Sequence, residues 1–114
     1  ESFRVKVPTA KAENLAQFFG KPMVFGVRPE DIFDSSLSPM VKPSEENTAK
    51  AVVDVIEPMG PTVTMYITVG DHSMVATIDS DSPIARAKPG DEVTVVLDME
   101  KTHLFDKESE KALY

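Results

Sequence analysis

The sequence predicts a small, mainly β domain: a barrel of short antiparallel strands with one short helix near the N-terminus. Three observations carry this. Apolar and polar residues alternate with the two-residue period of half-buried strands in several short stretches. Those stretches recur at roughly ten-residue spacing, separated by Gly, Pro and Asp turns. The 114 residues are enough for one modest core and one domain over 1–114, without internal repeats or low-complexity tracts.

Phe3, Val5 and Val7 alternate with Arg4 and Lys6, a strand that Pro8 ends. Thr9 is placed to cap a helix in which Ala12, Leu15, Ala16 and Phe19 fall at i, i+3, i+4 and i+7, with Gly20 at the C′ position. Met23 to Val27 reads as a strand whose near-continuous apolar character predicts burial on both faces. Residues 34–47, with two prolines and four serines, read as a long mobile connection. Val53 and Val55 alternate with Asp54 on a strand that turns at Pro58-Met59-Gly60-Pro61. From Thr62 to Val69, Val63, Met65, Ile67 and Val69 point one way and Thr62, Thr64, Tyr66 and Thr68 the other. Gly70-Asp71 joins this strand to Met74–Ile78 in a hairpin. Asp79 to Ser82 is a polar loop, Pro83 to Arg86 a single helical turn, and Lys88-Pro89-Gly90-Asp91 a type II turn. Val93, Val95 and Leu97 mark the last long strand; His103-Leu104-Phe105-Asp106 and a charged tail over 107–114 follow.

The composition excludes several functions. A net charge of −7 and a pI of about 4.7 lack the basic footprint that phosphate backbones require and disfavour anionic membrane surfaces. There is no cysteine, hence no disulfide framework. No apolar run approaches the ~20 residues that cross a bilayer, and no signal peptide is visible. A chain that opens at Glu1 rather than Met, with a strand two residues later, is expected to be a processed protein or a piece of a longer one.

No catalytic constellation emerges. Arg28-Pro29-Glu30 has two readings: a strand terminator in which Pro29 starts a helical turn with acids at its positive end, or a pair of charges that contact a partner. His103 reads as a packed histidine bonded to backbone, because the other histidine, His72, sits in a hairpin turn and offers no ligand set. Asp79-Ser80-Asp81-Ser82 lacks the glycine and closing glutamate of a calcium loop. The Thr62, Thr64, Tyr66, Thr68 stripe is either plain surface or a polar face with one aromatic for a ligand or partner.

Phe25-Gly26-Val27-Arg28-Pro29-Glu30-Asp31-Ile32 resembles the G-[IV]-R-P-E signature of the C-terminal regulatory domain in ATP-binding subunits of carbohydrate ABC importers. Further landmarks of that family follow in order: Glu57-Pro58-Met59-Gly60, then Pro89-Gly90-Asp91 before a valine-rich strand, then His103-Leu104-Phe105-Asp106. The resemblance implies an oligonucleotide/oligosaccharide-binding-type (OB-type) barrel, a transport-associated OB domain. It makes Gly26, Arg28, Pro29, Glu30, Glu57, Gly60, His103 and Phe105 the motif and interface candidates. It implies a role in holding two ATPase subunits together, with a second ATPase subunit, the chain's own nucleotide-binding domain and a cytoplasmic regulatory protein as partners, at the inner face of the cell membrane. No G-x-x-x-x-G-K-[ST] phosphate loop is present, so ATP and Mg are expected only in an ATPase domain that these residues do not include, and the domain is expected to be non-catalytic. The alternative is a stand-alone OB-type module for an oxyanion or sugar. The acidic balance and the lack of a glycine-rich donor nest disfavour an anion.

Overall fold

Five strands carry the core. A computed structural model describes residues 4–13, 15–36 and 42–114. In chain order its strands are β1 (Met23–Gly26), β2 (Ile32–Asp34), β3 (Thr48–Pro58), β4 (Thr62–Val69), β5 (His72–Asp79), β6 (Glu92–Leu97) and β7 (His103–Asp106). They form an antiparallel five-stranded sheet in the order β2-β6-β3-β4-β5 and a separate two-stranded ribbon, β1-β7. The chain is mainly β, as its alternation predicts.

β4 shows the logic most plainly. Val63, Met65, Ile67 and Val69 are buried, and the intervening Thr62, Thr64, Tyr66 and Thr68 face outward. Met65, Ile67 and Val69 meet Ala76 and Ile78 of β5, Val53 of β3, and Val95 and Leu97 of β6 in one core to which Ile32 and Met99 also belong. Each such side chain contributes about 1.5–3 kcal/mol by leaving water. The sheet curls until its two edges, β2 and β5, approach each other around a cavity of about 260 Å³ lined by Ile32 and Phe33 on one side and Thr77 and Ile78 on the other. Asp34 fastens this seam. Its buried carboxylate accepts from the Ser36 N–H at 2.9 Å, the Ser36 hydroxyl at 2.7 Å and, across the seam, the Ile84 N–H at 3.1 Å.

The turns follow their residues. Gly60 and Gly90 have φ of +91° and +96°, which L side chains adopt only with strain. The Lys88–Asp91 turn closes with the Asp91 N–H on the Lys88 carbonyl at 2.9 Å, and Pro83–Arg86 is a short 3-10 turn.

Several expectations are corrected. Phe3 lies outside the described residues, and residues 4–8 join no sheet; the Lys6 N–H instead bonds the Glu46 carbonyl at 2.8 Å. The helix expected from Thr9 to Phe19 is two pieces, α1 (Thr9–Ala12) and a 3-10 turn at Ala16–Phe18. Thr9 does not cap it; Pro8 stands at the N-cap without a side-chain bond. Of the apolar stripe only Leu15 is half-buried; Ala12 and Ala16 are exposed and Phe19 is 92% exposed. A helix this short gains stability only from packing, so without a partner face it does not propagate. β1 is not buried on both faces: Val24 is 49% exposed, and no residue of the strand is fully buried. Val53 and Val55 do not share a face. A β-bulge between them inserts Asp54, so Val53 is buried and Val55 is exposed. Ile32–Asp34, read only as chain before a loop, is a strand. Of the 34–47 connection, residues 37–41 lie outside the described residues, and 42–47 end in a turn held by Asn47, which accepts from the Ser44 N–H at 2.8 Å and donates to the Lys42 carbonyl at 3.0 Å. The tail folds back on β7: Ala112 bridges Phe105, and the Leu113 N–H bonds the Leu104 carbonyl at 2.7 Å.

Candidate functional site

The structure gathers three of the eight candidate residues on the ribbon. Gly26 pairs in register with His103. A Cβ on Gly26 would lie 3.0 Å from Cε2 of Phe105 and 3.7 Å from the His103 carbonyl. Glycine leaves room for the Phe105 ring to lie close across the strand, a known remedy for a bare glycine in a sheet. The His103 and Phe105 rings tilt at 40° with centroids 6.2 Å apart. His103 is exposed rather than packed, and its Nδ1 bonds the Tyr114 carbonyl at 2.8 Å. Lys11 approaches the Tyr114 ring to 5.1 Å and donates to the Glu100 carbonyl, which ties α1 to the tail.

Arg28, Pro29 and Glu30 form the junction between ribbon and sheet. Arg28 is extended at φ −77°, ψ 147°, as its following proline demands. Pro29 opens a 3-10 turn, Pro29–Asp31, with Glu30 and Asp31 at its start. This is the strand-terminating role. Arg28 and Glu30 are also exposed, and among the described residues neither makes an ion pair, so both charges stand on the surface. Asp31, which the motif reading passed over, is buried. Lys101 lies 3.9 Å from Asp31 and 3.9 Å from Asp98, and the Asp98 N–H bonds the Asp31 carbonyl at 3.0 Å. These bonds fix the junction to the segment that leads into β7.

Glu57 and Gly60 are not brought to the ribbon. They occupy the exposed corner between β3 and β4, where the Met59 N–H closes on the Thr62 carbonyl at 2.8 Å. β4 runs about 24 Å from that corner to the Gly70-Asp71 turn. Glu30 approaches the corner side instead: it lines the β2–β5 cavity with Thr62 and Asp79.

One surface went unread in the sequence, and the Thr-Tyr stripe was read without its apolar neighbours. A cleft of about 680 Å³ separates β1 from the first half of β5, with Met23, Val24, Phe25 and Val27 facing Met74 and Val75. On the outer face, the bulge turns Val55 outward beside Tyr66, and Tyr66 pairs with Val75, so the Thr-Tyr stripe acquires an apolar row. Thr68 leaves the stripe's donor set by bonding Asp54 at 2.6 Å. Of the titratable groups, Asp106 is held below the ordinary carboxylate range, first by the Ser109 hydroxyl at 2.8 Å, then by backbone N–H groups of Ser109 and Glu108 and the charge of Lys21. Among the described residues no cluster of three or more His, Asp or Glu is placed to hold a metal ion.

Comparison with known proteins places these features. The model of the TOBE domain matches residues 25–105, from Phe25 beside Gly26 to Phe105 against it. The chain is 36% identical over 114 residues to the trehalose/maltose import ATP-binding protein MalK of Thermococcus litoralis, covering 98% of this chain and 30% of that protein. It is 35% identical over 111 residues to the oligosaccharides import ATP-binding protein MsmX of Bacillus subtilis, covering 96% and 29%. It is 33% identical over 96 residues to the multiple sugar-binding transport ATP-binding protein MsmK of Streptococcus mutans, covering 84% and 24%. The chain thus spans less than a third of the length of these curated relatives. A curled sheet and ribbon whose ordered landmarks fall inside a family match over most of their length make this chain a member of the TOBE domain family.

Proposed function

We propose that this chain is the regulatory and dimerisation domain of an ATP-binding subunit of a carbohydrate ABC importer, and that it performs no catalysis of its own. The observation that carries the proposal is the ordered set of landmarks from Gly26 to Phe105 within the TOBE match, in a chain similar along nearly its whole length to part of sugar-import ATP-binding proteins. The mechanism is one of coupling. Contact between two such barrels keeps two ATPase subunits associated while their nucleotide sites open and close. A regulatory protein bound here shifts transport by binding one state of the pair more tightly than the other, since equal affinity for both would shift nothing. ATP and Mg belong to another part of the subunit, and the assembly works at the cytoplasmic face of the membrane. Arg28 and Glu30, exposed and without an ion-pair partner among the described residues, are the charges available to a neighbouring subunit or domain.

The test is Arg28→Ala in the intact importer. Subunit pairing or the response of sugar uptake to regulation is expected to weaken, with ATP affinity unchanged. Unchanged pairing and regulation would overturn the assignment of Arg28. A gene that encodes no nucleotide-binding domain in frame with these residues would overturn the function itself.

A further inference from the structure

We propose that the outer face of β3, β4 and β5 is a docking surface for a basic, amphipathic helix of a partner protein. This rests on the reading above that a regulatory protein binds the domain, and it gives that protein's contact its chemistry.

The surface is built by register. Tyr66 stands on the outer face of β4, with Val55 of β3 paired to it on one side and Val75 of β5 on the other. Strict alternation from the buried Val53 would send Val55 into the core; the bulge at Asp54 turns it out. Val52, just before the bulge, pairs with Thr68 and also faces outward. Val55 is 48% exposed, Val52 42% and Tyr66 37%, so the apolar groups stand together in water. A contiguous apolar patch with an aromatic at its middle and polar residues around it has the composition of an interface centre.

Charge and topology then choose the occupant. Asp54 holds its carboxylate on this face, where it accepts from the Thr68 hydroxyl at 2.6 Å. Glu57 pairs with Thr64, Asp79 with Thr62 and Glu92 with Val52, and all three are exposed. Lys50 is the one cation within β3, β4, β5 and β6. Such a rim attracts Lys and Arg and repels an acidic protein, an anionic membrane or a nucleic acid. A second copy laid face to face would set these carboxylates against their own equivalents. A strand does not suit the row, because β3 lies between β6 and β4, and β4 between β3 and β5, so neither offers a free backbone edge. The occupant must bind through side chains alone, as a helix does. The row from Val55 to Val75 crosses two strand spacings, about 10 Å, and positions i and i+7 of a helix are about 10.5 Å apart. A helix laid along the row sets its apolar stripe on Val55, Tyr66 and Val75 and its flanking Lys or Arg over the carboxylates.

The test titrates the isotope-labelled 114-residue chain with three synthetic helical peptides of equal length, followed by amide chemical shifts. One carries Leu at i, i+3, i+4 and i+7 with Lys between; one replaces its Lys by Glu; one replaces its Leu by Ala. The Leu–Lys peptide is expected to shift the amides of Val52, Val55, Tyr66 and Val75 and to bind at least about ten-fold more tightly than either of the others. Val55→Ser is expected to weaken that binding about five-fold with the unfolding midpoint little changed. Glu57→Lys is expected to weaken it more at low salt than at high salt. Absence of binding overturns the surface, and so does equal binding of the Leu–Lys and Ala–Lys peptides, because charge alone then suffices. Shifts centred on the ribbon or on α1 also overturn it. Shifts at the named amides that grow with the chain's own concentration, without peptide, overturn it in favour of a second copy. Each of these outcomes leaves the proposed domain role standing; that role falls instead with a gene that encodes no nucleotide-binding domain in frame.

Discussion

The five-stranded sheet and the β1–β7 ribbon are built to different standards. The sheet buries Ile32, Met65, Ile67, Val69, Val95 and Leu97 completely, and its edges are drawn together by Asp34. The ribbon leaves Val24 half in water, follows an exposed Phe19, and is shaped by a contact between a glycine and an aromatic ring. Yet Gly26, His103 and Phe105 belong to the ribbon, and Arg28, Pro29 and Glu30 to its junction with the sheet. The difference teaches a division of labour: the sheet holds the buried core, while the ribbon and junction, which we propose as the surface for contact, are thinly covered.

The largest test of that division is Ile67→Ala at the centre of β4. The cavity should cost about 2–5 kcal/mol, read from the urea midpoint at constant slope. In a domain this small that is a large share of the total. A cost below about 1 kcal/mol would mean that the sheet is not where stability resides. Asp34→Ala comes next. It leaves the Ile84 and Ser36 N–H groups without their acceptor, and a buried donor left unsatisfied costs about 1–3 kcal/mol. Asp34→Asn should recover part of this, because its amide oxygen can still accept. If alanine and asparagine behave alike, the seam is held by packing rather than by the carboxylate.

Gly26→Ala moves the test to the ribbon. The new methyl meets Phe105 at 3.0 Å, and the ring is half-buried and can shift, so the cost falls at the low end of overpacking, about 1 kcal/mol. It should appear as faster exchange at residues 103–106 with β4 unaffected. In a Phe105→Leu background the penalty should shrink; additivity of the two changes would dissolve the proposed contact. Phe19→Ser should be nearly silent, within about 0.5 kcal/mol in the isolated chain, since a side chain 92% exposed has little packing to lose. A substantial loss would show that the Phe19 side chain packs on the domain.

The same contrast decides what could be read from the sequence. β4 was legible residue by residue, because one buried and one wet face impose a strict two-residue period. So were the Gly60 and Gly90 turns and the Pro83–Arg86 turn, which local chemistry dictates. β3 was misread at one point, because a bulge at Asp54 shifts the period and leaves no mark in the alternation. β2 was too short to show a period next to a stretch rich in Ser and Pro. The helix over 9–19 had the right spacing but no face to pack against, and spacing cannot reveal a missing partner. The site was legible as an order of motifs and not as a geometry. The pairing of Gly26 with His103, distant in sequence, is a tertiary fact, and so is the buried Asp31 with its Lys101 neighbour.

The smallest expected effect is at the far end of the ribbon, in the turn that folds the tail onto β7. The Asp106 carboxylate accepts from the Ser109 hydroxyl and N–H, its own N–H bonds the Lys111 carbonyl at 2.9 Å, and its carbonyl accepts from the Glu110 N–H at 2.7 Å. The Ser109 hydroxyl is the first cause holding its pKa below the ordinary value, so the folded turn favours the ionised form. The sign follows: a carboxylate with a lowered folded-state value stabilises fully above its ordinary value of about 4 and loses that contribution as pH falls through the lowered one. Exchange at Ser109 and Lys111 should therefore quicken only below about pH 4, and Asp106→Asn should remove the dependence. The carboxylate is exposed, so the global midpoint should barely respond; the change should be confined to residues 106–113. A titration midpoint at or above the ordinary carboxylate value would mean that the Ser109 bonds do not hold the ionised form, and that the tail lies on β7 through the Ala112 and Leu113 backbone alone.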